Sequence, residues 1–377
     1  MIGIALFSAH VKAAASTKLE SLYSTSFLKI SEVYNDNIIN QEKRKTSSWI
    51  SIIDPSFSIK GEKGISQVKA TYRLSKGIYQ SSSNDNYLDH FTGVSVGFDL
   101  STRLQTRFSF NYNKKHDPRG SIFTGKTISI KTPDQYHETI VDGNIGYGVN
   151  AHIDVKGEYS NKYYDNNRLI TSARDFDATA GSTAFSYPVG SKTKAVLEVR
   201  YKRFNYKTAN LDSNEQRYFV GADWEATAKT SGTLRLGYLK KSFTNAALTN
   251  TSQFSWELNM DWQPTTYSRL TLATNSKPHE SDGRGSFTKT TGSTLTWNYA
   301  WSSHLNHAVY VGYSNNQYQD VTMPITYTFM VVGASVNYQL QRWLGIQTAY
   351  DYRNRNSNQV NSSYTGNIWT LSFVAAL

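Results

Sequence analysis

Apolar and polar residues alternate along this chain with a period of two, one segment after another. In the run 104–113, Leu104, Thr106, Phe108, Phe110 and Tyr112 share one face, and Gln105, Arg107, Ser109, Asn111 and Asn113 share the other. No helical stripe can be drawn through that pattern, because a period of two is the repeat of a half-buried strand. Ala195, Leu197, Val199 and Tyr201 repeat it against Lys194, Glu198, Arg200 and Lys202. Tyr218, Val220, Ala222 and Trp224 do so again, followed by Phe254, Trp256, Leu258, Met260 and Trp262 against Glu257, Asn259 and Asp261. Counted from 22–34 to 367–377, with 90–100, 151–160 and 267–275 among them, the pattern predicts about 18 strands, each with one apolar and one polar face.

The connections sort by length. Long segments such as 35–48, 80–89 and 115–134 alternate with tight ones such as 61–64, 101–103, 148–150, 264–266, 301–304 and 341–343. A soluble sandwich has no reason to do this, whereas outer-membrane barrels have short periplasmic turns and longer extracellular loops. No stretch approaches 18 consecutive apolar residues, so a membrane-spanning helix is excluded and a closed barrel remains as the other fold that satisfies every backbone group in lipid. The predicted class is therefore all-β, a transmembrane outer-membrane antiparallel β-barrel. Tyr and Trp recur near the strand ends (Tyr72, Tyr79, Tyr112, Tyr147, Tyr159, Tyr201, Tyr218, Tyr238, Trp262, Tyr299, Tyr313, Tyr338 and Tyr352), where an interfacial girdle belongs. Ordinary aromatic pairing in a soluble sheet is the alternative. Trp369, Leu371, Phe373, Ala375 and Leu377 alternate to the last residue, similar to the C-terminal signal read by the bacterial barrel-assembly machinery.

Residues 1–18 read as a signal-peptide remnant, with a short apolar run and the small residues Ala13, Ala14 and Ala15, and residues 19–377 as the barrel. Composition narrows the rest. Among 377 residues there are 40 Lys and Arg against 29 Asp and Glu, a net charge of +11. That excess raises nucleic acid, membrane surfaces and anionic polymers as partners. The basic residues are scattered singly, which argues against nucleic acid. The absence of cysteine excludes a disulfide scaffold and any thiolate metal site.

The segments VYNDNIIN (33–40), PSFSIKGEKGISQVKATYRLSKGIYQ (55–80) and NDNYLDH (84–90) resemble the outer-membrane β-barrel porins of bacterial exopolysaccharide and capsule operons. The resemblance runs from about residue 20 onward and rests on turn and girdle chemistry, which specifies a barrel better than a substrate. It implies a pore that carries polysaccharide through the outer membrane, or assists a periplasmic or inner-membrane synthesis and export complex. A general or sugar-selective diffusion porin is the alternative, and a barrel enzyme acting on lipid or polysaccharide a second one.

With apolar residues turned to lipid, the other face lines a lumen. Lys69, Arg73, Arg107, Lys156, Arg200 and Arg235 are the candidate substrate-path residues, on a face shared with His152, Asp154, Glu158, Lys194, Glu198, Lys202, Arg217, Asp223, Glu225, Glu257 and Asp261. Charged rings set ion preference in pores, and the basic excess favours anionic or partly anionic solutes. Cross-strand pairing of these charges is the competing reading for any single residue. The inner aromatics Tyr310, Tyr327 and Phe329 are placed to stack on sugar rings or to pack. Loop 115–134 is a candidate constriction. Mid-strand, Gly221 and Asn259 face the lumen beside the lipid-facing Val220 and Leu258, and are expected to accept a charged side chain.

Catalysis finds little support. An outer-membrane hydrolase needs a hydroxyl nucleophile with a His base in reach. His152 is the one lumen candidate, beside Asp154, and reads as a wall ion pair rather than a dyad. No metal-ligand spacing appears; Ser83–His90 lacks the Glu and the spacing of a calcium loop. No catalytic residue, cofactor or metal is expected.

Overall fold

The computed structural model describes residues 22–63, 66–121, 130–227 and 229–377; the expected signal remnant lies outside them. The strands in chain order are β1 (Leu22–Asn35), β2 (Ser48–Lys63), β3 (Ser66–Tyr79), β4 (Tyr87–Asp99), β5 (Leu104–Asp117), β6 (Asp134–Gly148), β7 (His152–Tyr164), β8 (Phe176–Gly190) and β9 (Thr193–Tyr206). They continue as β10 (Ser213–Thr227), β11 (Thr230–Phe243), β12 (Thr251–Thr265), β13 (Ser268–Glu280), β14 (Phe287–Ala300), β15 (Leu305–Tyr318), β16 (Thr326–Gln341), β17 (Leu344–Ser357) and β18 (Tyr364–Ala376). Each pairs antiparallel with its chain neighbours, and β1 pairs with β18, which closes an 18-stranded barrel.

Followed once around the ring, the registers return about 22 residues further along β1, the shear that sets strand tilt and width together. With standard strand spacings that shear gives a tilt of about 40° and a backbone radius of roughly 17–18 Å. At that width the wall side chains cannot meet across the axis, so the interior is a water-filled channel unless chain folds into it.

The alternation resolves as expected. Val220 is 58% exposed on the outside, while its neighbour Phe219 is 3% exposed and points inward. Exposed aromatics form two bands. Tyr147, Tyr187, Trp262, Trp297, Tyr338 and Trp343 lie toward the short turns, and Trp49, Tyr112, Tyr159, Tyr218, Tyr238 and Trp369 toward the long loops. Tyr79 is the exception: it pairs with Ile50 and packs on the inner cluster of Val33, Ile38 and Ile50.

Strands run further on the long-loop side than alternation predicts. β4 begins at Tyr87 rather than 90, and β7 continues to Tyr164 rather than 160. Above the lipid both faces of a strand meet water or loops, so the apolar–polar contrast vanishes there although the hydrogen-bond ladder continues. The largest extension is β13, predicted to stop at 275 and running to Glu280. Its ladder with β12 does end at Asn275, opposite Glu257, and beyond that point β13 pairs only with β14.

Candidate functional site

The inner wall has two kinds of surface. From β6 to β12 the inward positions carry charges, and the register sets them side by side. Arg200 donates to Glu198 (Nε–Oε1 2.5 Å) and, through Nη1, to both oxygens of Glu257 (2.9 and 3.0 Å). Arg217 bridges Glu215 (2.5 Å) and Glu257 (3.3 Å), while Arg235 bridges Glu198 (3.1 Å) and Asp223 (2.6 Å). Lys202 reaches Glu158 at 3.2 Å, and Lys156 lies 3.6 Å from Glu158 and 3.8 Å from Asp142. Of these side chains, Lys156, Glu158, Glu198, Arg200, Lys202, Glu215 and Arg217 line a recess of about 420 Å³. Its cations are matched by carboxylates, so this part of the wall is polar without being basic.

Of the six candidate path residues, Lys156, Arg200 and Arg235 are thus held in pairs. Arg73 lies 3.2 Å from Asp54, at an angle that makes an ion pair rather than a hydrogen bond, and stacks over Phe91 at 4.2 Å. Lys69 and Arg107, toward the short-turn end, have exposed side chains and no ion pair among the described residues.

The second surface spans β14 to β16. Register places Thr288, Thr290, Thr294, Thr296, Tyr310, Ser314, Asn316, Tyr327, Phe329 and Ser335 inward, and no inward position on these three strands is charged. Hydroxyls and amides bond one another instead: Thr290 donates to Asn316 (2.8 Å), and Asn316 to Ser314 (3.0 Å). Tyr310 lies inward as expected, its hydroxyl donating to Asp351 on β17.

The β13–β14 connection reaches into the lumen. The β13–β14 tip, having left β12, carries Glu280 to the inner faces of β9 and β11. There Glu280 accepts from the Tyr206 hydroxyl (2.8 Å) and from Lys241 Nζ (2.7 Å). Lys241 is fully buried, with its ammonium 4.6 Å from the Phe204 ring centre and near the rings of Phe243 and Phe287. Buried charge is tolerated there because it is paired and faced by aromatic rings. Further along the tip, Asp282 accepts from the Tyr318 hydroxyl at 3.1 Å. The surrounding tip and wall shield Asp282, and that burial pushes its pKa up to about 8. The expected constriction in loop 115–134 falls partly outside the described residues. Its described part ties to neighbouring loops, with Arg119 donating to Asp85 (Nε–Oδ1 2.6 Å) and Asn40 to the Gly120 carbonyl (3.3 Å).

The remaining chemistry is structural. His152 Nε2 lies 3.3 Å from Asp154 and its Nδ1 3.2 Å from the Gly148 carbonyl. No hydroxyl nucleophile bonds it among the described residues. Two His–carboxylate pairs that the sequence did not suggest do form, His116 with Asp89 (2.9 Å) and His137 with Asp165 (2.8 Å). Asp85, within the acidic segment considered for calcium, is neutralised by Arg119. No group of three or more metal-ligating side chains occurs among the described residues.

The family model described as "Putative beta-barrel porin 2" matches residues 24–377. Among solved structures, OccK2 (OpdF) of Pseudomonas aeruginosa is similar with a TM-score of 0.54 and 9% identity, over 95% of this chain and 99% of that one. OccK2 in complex with glucuronate gives 0.52 and 10%, with the same coverage. The outer membrane protein OpdK of the same organism gives 0.51 and 11%, over 94% and 99%. These likenesses concern the fold. No curated protein sequence matches the chain.

Proposed function

Because the chain belongs to the family described as Putative beta-barrel porin 2, a bacterial outer-membrane porin family, we propose that its lumen conducts an exopolysaccharide or capsular polysaccharide outward. In this reading it works with a periplasmic or inner-membrane synthesis complex. The observation that carries the proposal is the uncharged strip of β14–β16, beside a charged wall that is internally neutralised. A polymer sliding through a pore needs hydroxyl-compatible partners that bind weakly at many places, because conduction fails where any one site holds too tightly. Thr, Ser, Asn and Tyr side chains meet that requirement. The six candidate path residues belong to this proposal: Arg73, Lys156, Arg200 and Arg235 as paired wall, Lys69 and Arg107 as the charged rim toward the periplasm.

A sugar-selective diffusion porin is the second reading. The inward β13–β14 tip favours it, because a chain segment inside the lumen narrows the path to the scale of small solutes. A similarly folded structure, OccK2, has been solved with glucuronate. A deletion strain separates the two. Export predicts polysaccharide that is still synthesised but trapped or arrested, with growth on small sugars unchanged. Normal surface polysaccharide with slowed uptake of small solutes would instead select the diffusion porin.

A further inference from the structure

We infer that the long-loop end of β17 holds a binding site for a carboxylate group on a solute in the lumen, centred on Arg355. This goes beyond the proposal above and holds for a polymer and a small sugar acid alike.

Arg355 points inward, is 4% exposed and stacks over the Tyr364 ring at 4.6 Å. Its Nε donates to the Ser362 carbonyl (2.7 Å), and among the described residues neither terminal nitrogen has an acceptor and no carboxylate pairs with it. The other buried guanidinium groups are paired, Arg174 with Asp117 and Asp134 and Arg217 with Glu215 and Glu257; of the buried ammonium groups Lys241 pairs with Glu280, while Lys162 lies over the Tyr136 and Tyr164 rings instead. A buried guanidinium without a counter-ion is costly, so the exception asks for an explanation.

Its surroundings are rich in donors, and the Asp282 carboxyl, which acts on Tyr327, is occupied by the Tyr318 hydroxyl. Tyr364 and Tyr327 flank it, and neither hydroxyl has a hydrogen-bond partner among the described residues. Arg284, on the β13–β14 tip, acts on Arg355 as a like-charged neighbour. Arg353 lies two residues away on the same face, with Asp351 only at 3.9 Å. None of these unpartnered donor atoms is wholly enclosed, so each keeps some surface open toward the lumen. A guanidinium fork beside free phenol hydroxyls fits a carboxylate, which accepts two parallel N–H bonds at once. The tyrosine rings then offer apolar surface to the sugar that bears it.

The full-length barrel in a planar lipid bilayer provides the test, with galacturonate and galactose as probes of equal shape and different charge. Galacturonate should interrupt the ion current at concentrations where galactose does not. Arg355→Gln should weaken that block about tenfold, the scale of one lost charge-assisted pair. Tyr364→Phe should weaken it a few-fold, and Arg107→Gln, at the opposite end of the lumen, less than twofold. Equal block by the two sugars, or an equal loss in Arg107→Gln and Arg355→Gln, overturns the site. If Arg355→Gln does not assemble, Tyr364→Phe decides, and an unchanged galacturonate block then overturns it.

Discussion

The β9–β12 wall and the β14–β16 wall are made from the same tilted, alternating strands, yet they solve the cost of an inward polar face differently. In the first, guanidinium and carboxylate groups meet in register, and Glu257 alone serves both Arg200 and Arg217. In the second, Thr290, Asn316 and Ser314 bond one another, the Thr288 hydroxyl goes without a partner among the described residues, and no charge needs one. The charged wall is therefore a network whose members depend on each other, while the neutral wall is a set of small, replaceable bonds. Removing one member of the first strands its partners in a partly dry place; removing one of the second leaves a group that lumen water can serve.

The sharpest way to break this comparison is a matched pair of substitutions. Glu257→Gln removes the carboxylate shared by two arginines and should cost about 2–3 kcal/mol, the range for lost hydrogen bonds to charged groups, with Arg200 still held by Glu198 and Arg217 by Glu215. Thr290→Val, inward on β14, should cost under about 1 kcal/mol, because its loss is the one neutral bond to Asn316. Reversible unfolding in detergent, followed by circular dichroism, measures both. Equal costs would mean that the charged network contributes no more than the hydroxyl wall.

The fold was legible because its signals are local. A period of two can be read within one segment, and so can the contrast between a three-residue turn and a fourteen-residue loop. The inward or outward facing of Val220, Leu258 and the six candidate path residues follows from the same parity. Pairing was not legible, since it depends on register between distant segments: Arg119 with Asp85 and His116 with Asp89 bring together loops and strands that no spacing rule connects. The β13–β14 tip was hidden for the opposite reason. Its strand pattern stops where β12 stops supporting it, and the residues that then turn inward, Glu280 and Asp282, look like ordinary loop carboxylates. Gly221 shows parity failing outright. It faces the lumen, but a Cβ there would sit 2.0 Å from the Leu234 carbonyl oxygen and 2.8 Å from Arg235 Cδ, so it cannot accept the charged side chain its facing suggested. Asn259 keeps that expectation.

The tip is the place where the neutral wall meets a titratable group, and pH should act there with a smaller effect. The Asp282 carboxyl, raised to about 8 by burial, accepts from Tyr318 and feels the positive charge of Arg174. A raised folded-state value means the tip is most stable below the ordinary carboxylate range near 4 and loses that contribution as pH climbs through 8. Hydrogen exchange of residues 281–286, corrected for its intrinsic pH dependence, should show more frequent opening at pH 9 than at pH 6. Asp282→Asn should flatten that difference, since an amide cannot ionise. A tip that opens equally at both pH values would show that the carboxyl is not held neutral by its surroundings.

The smallest expected effect tests the part of the lumen that neither wall describes. Lys69 and Arg107 lie toward the short-turn end with exposed side chains and no carboxylate partner among the described residues, so their charge acts on ions rather than on a neighbour. Reversing both, Lys69→Glu with Arg107→Glu, should shift the pore toward cations in a salt gradient, read as a change in reversal potential. In a wide lumen each charge is screened beyond about 8 Å at physiological salt, so the shift should be modest and should shrink further at 1 M salt. Folding should be untouched, because no pair is broken. The same reversal at Arg200 carries the opposite expectation: Glu beside Glu198 and Glu257 disrupts the network and should impair assembly before selectivity can be read. If Arg200→Glu assembled normally and shifted selectivity as the rim pair does, the charged wall would be a set of independent surface charges after all, and the difference between the two walls would be one of composition alone.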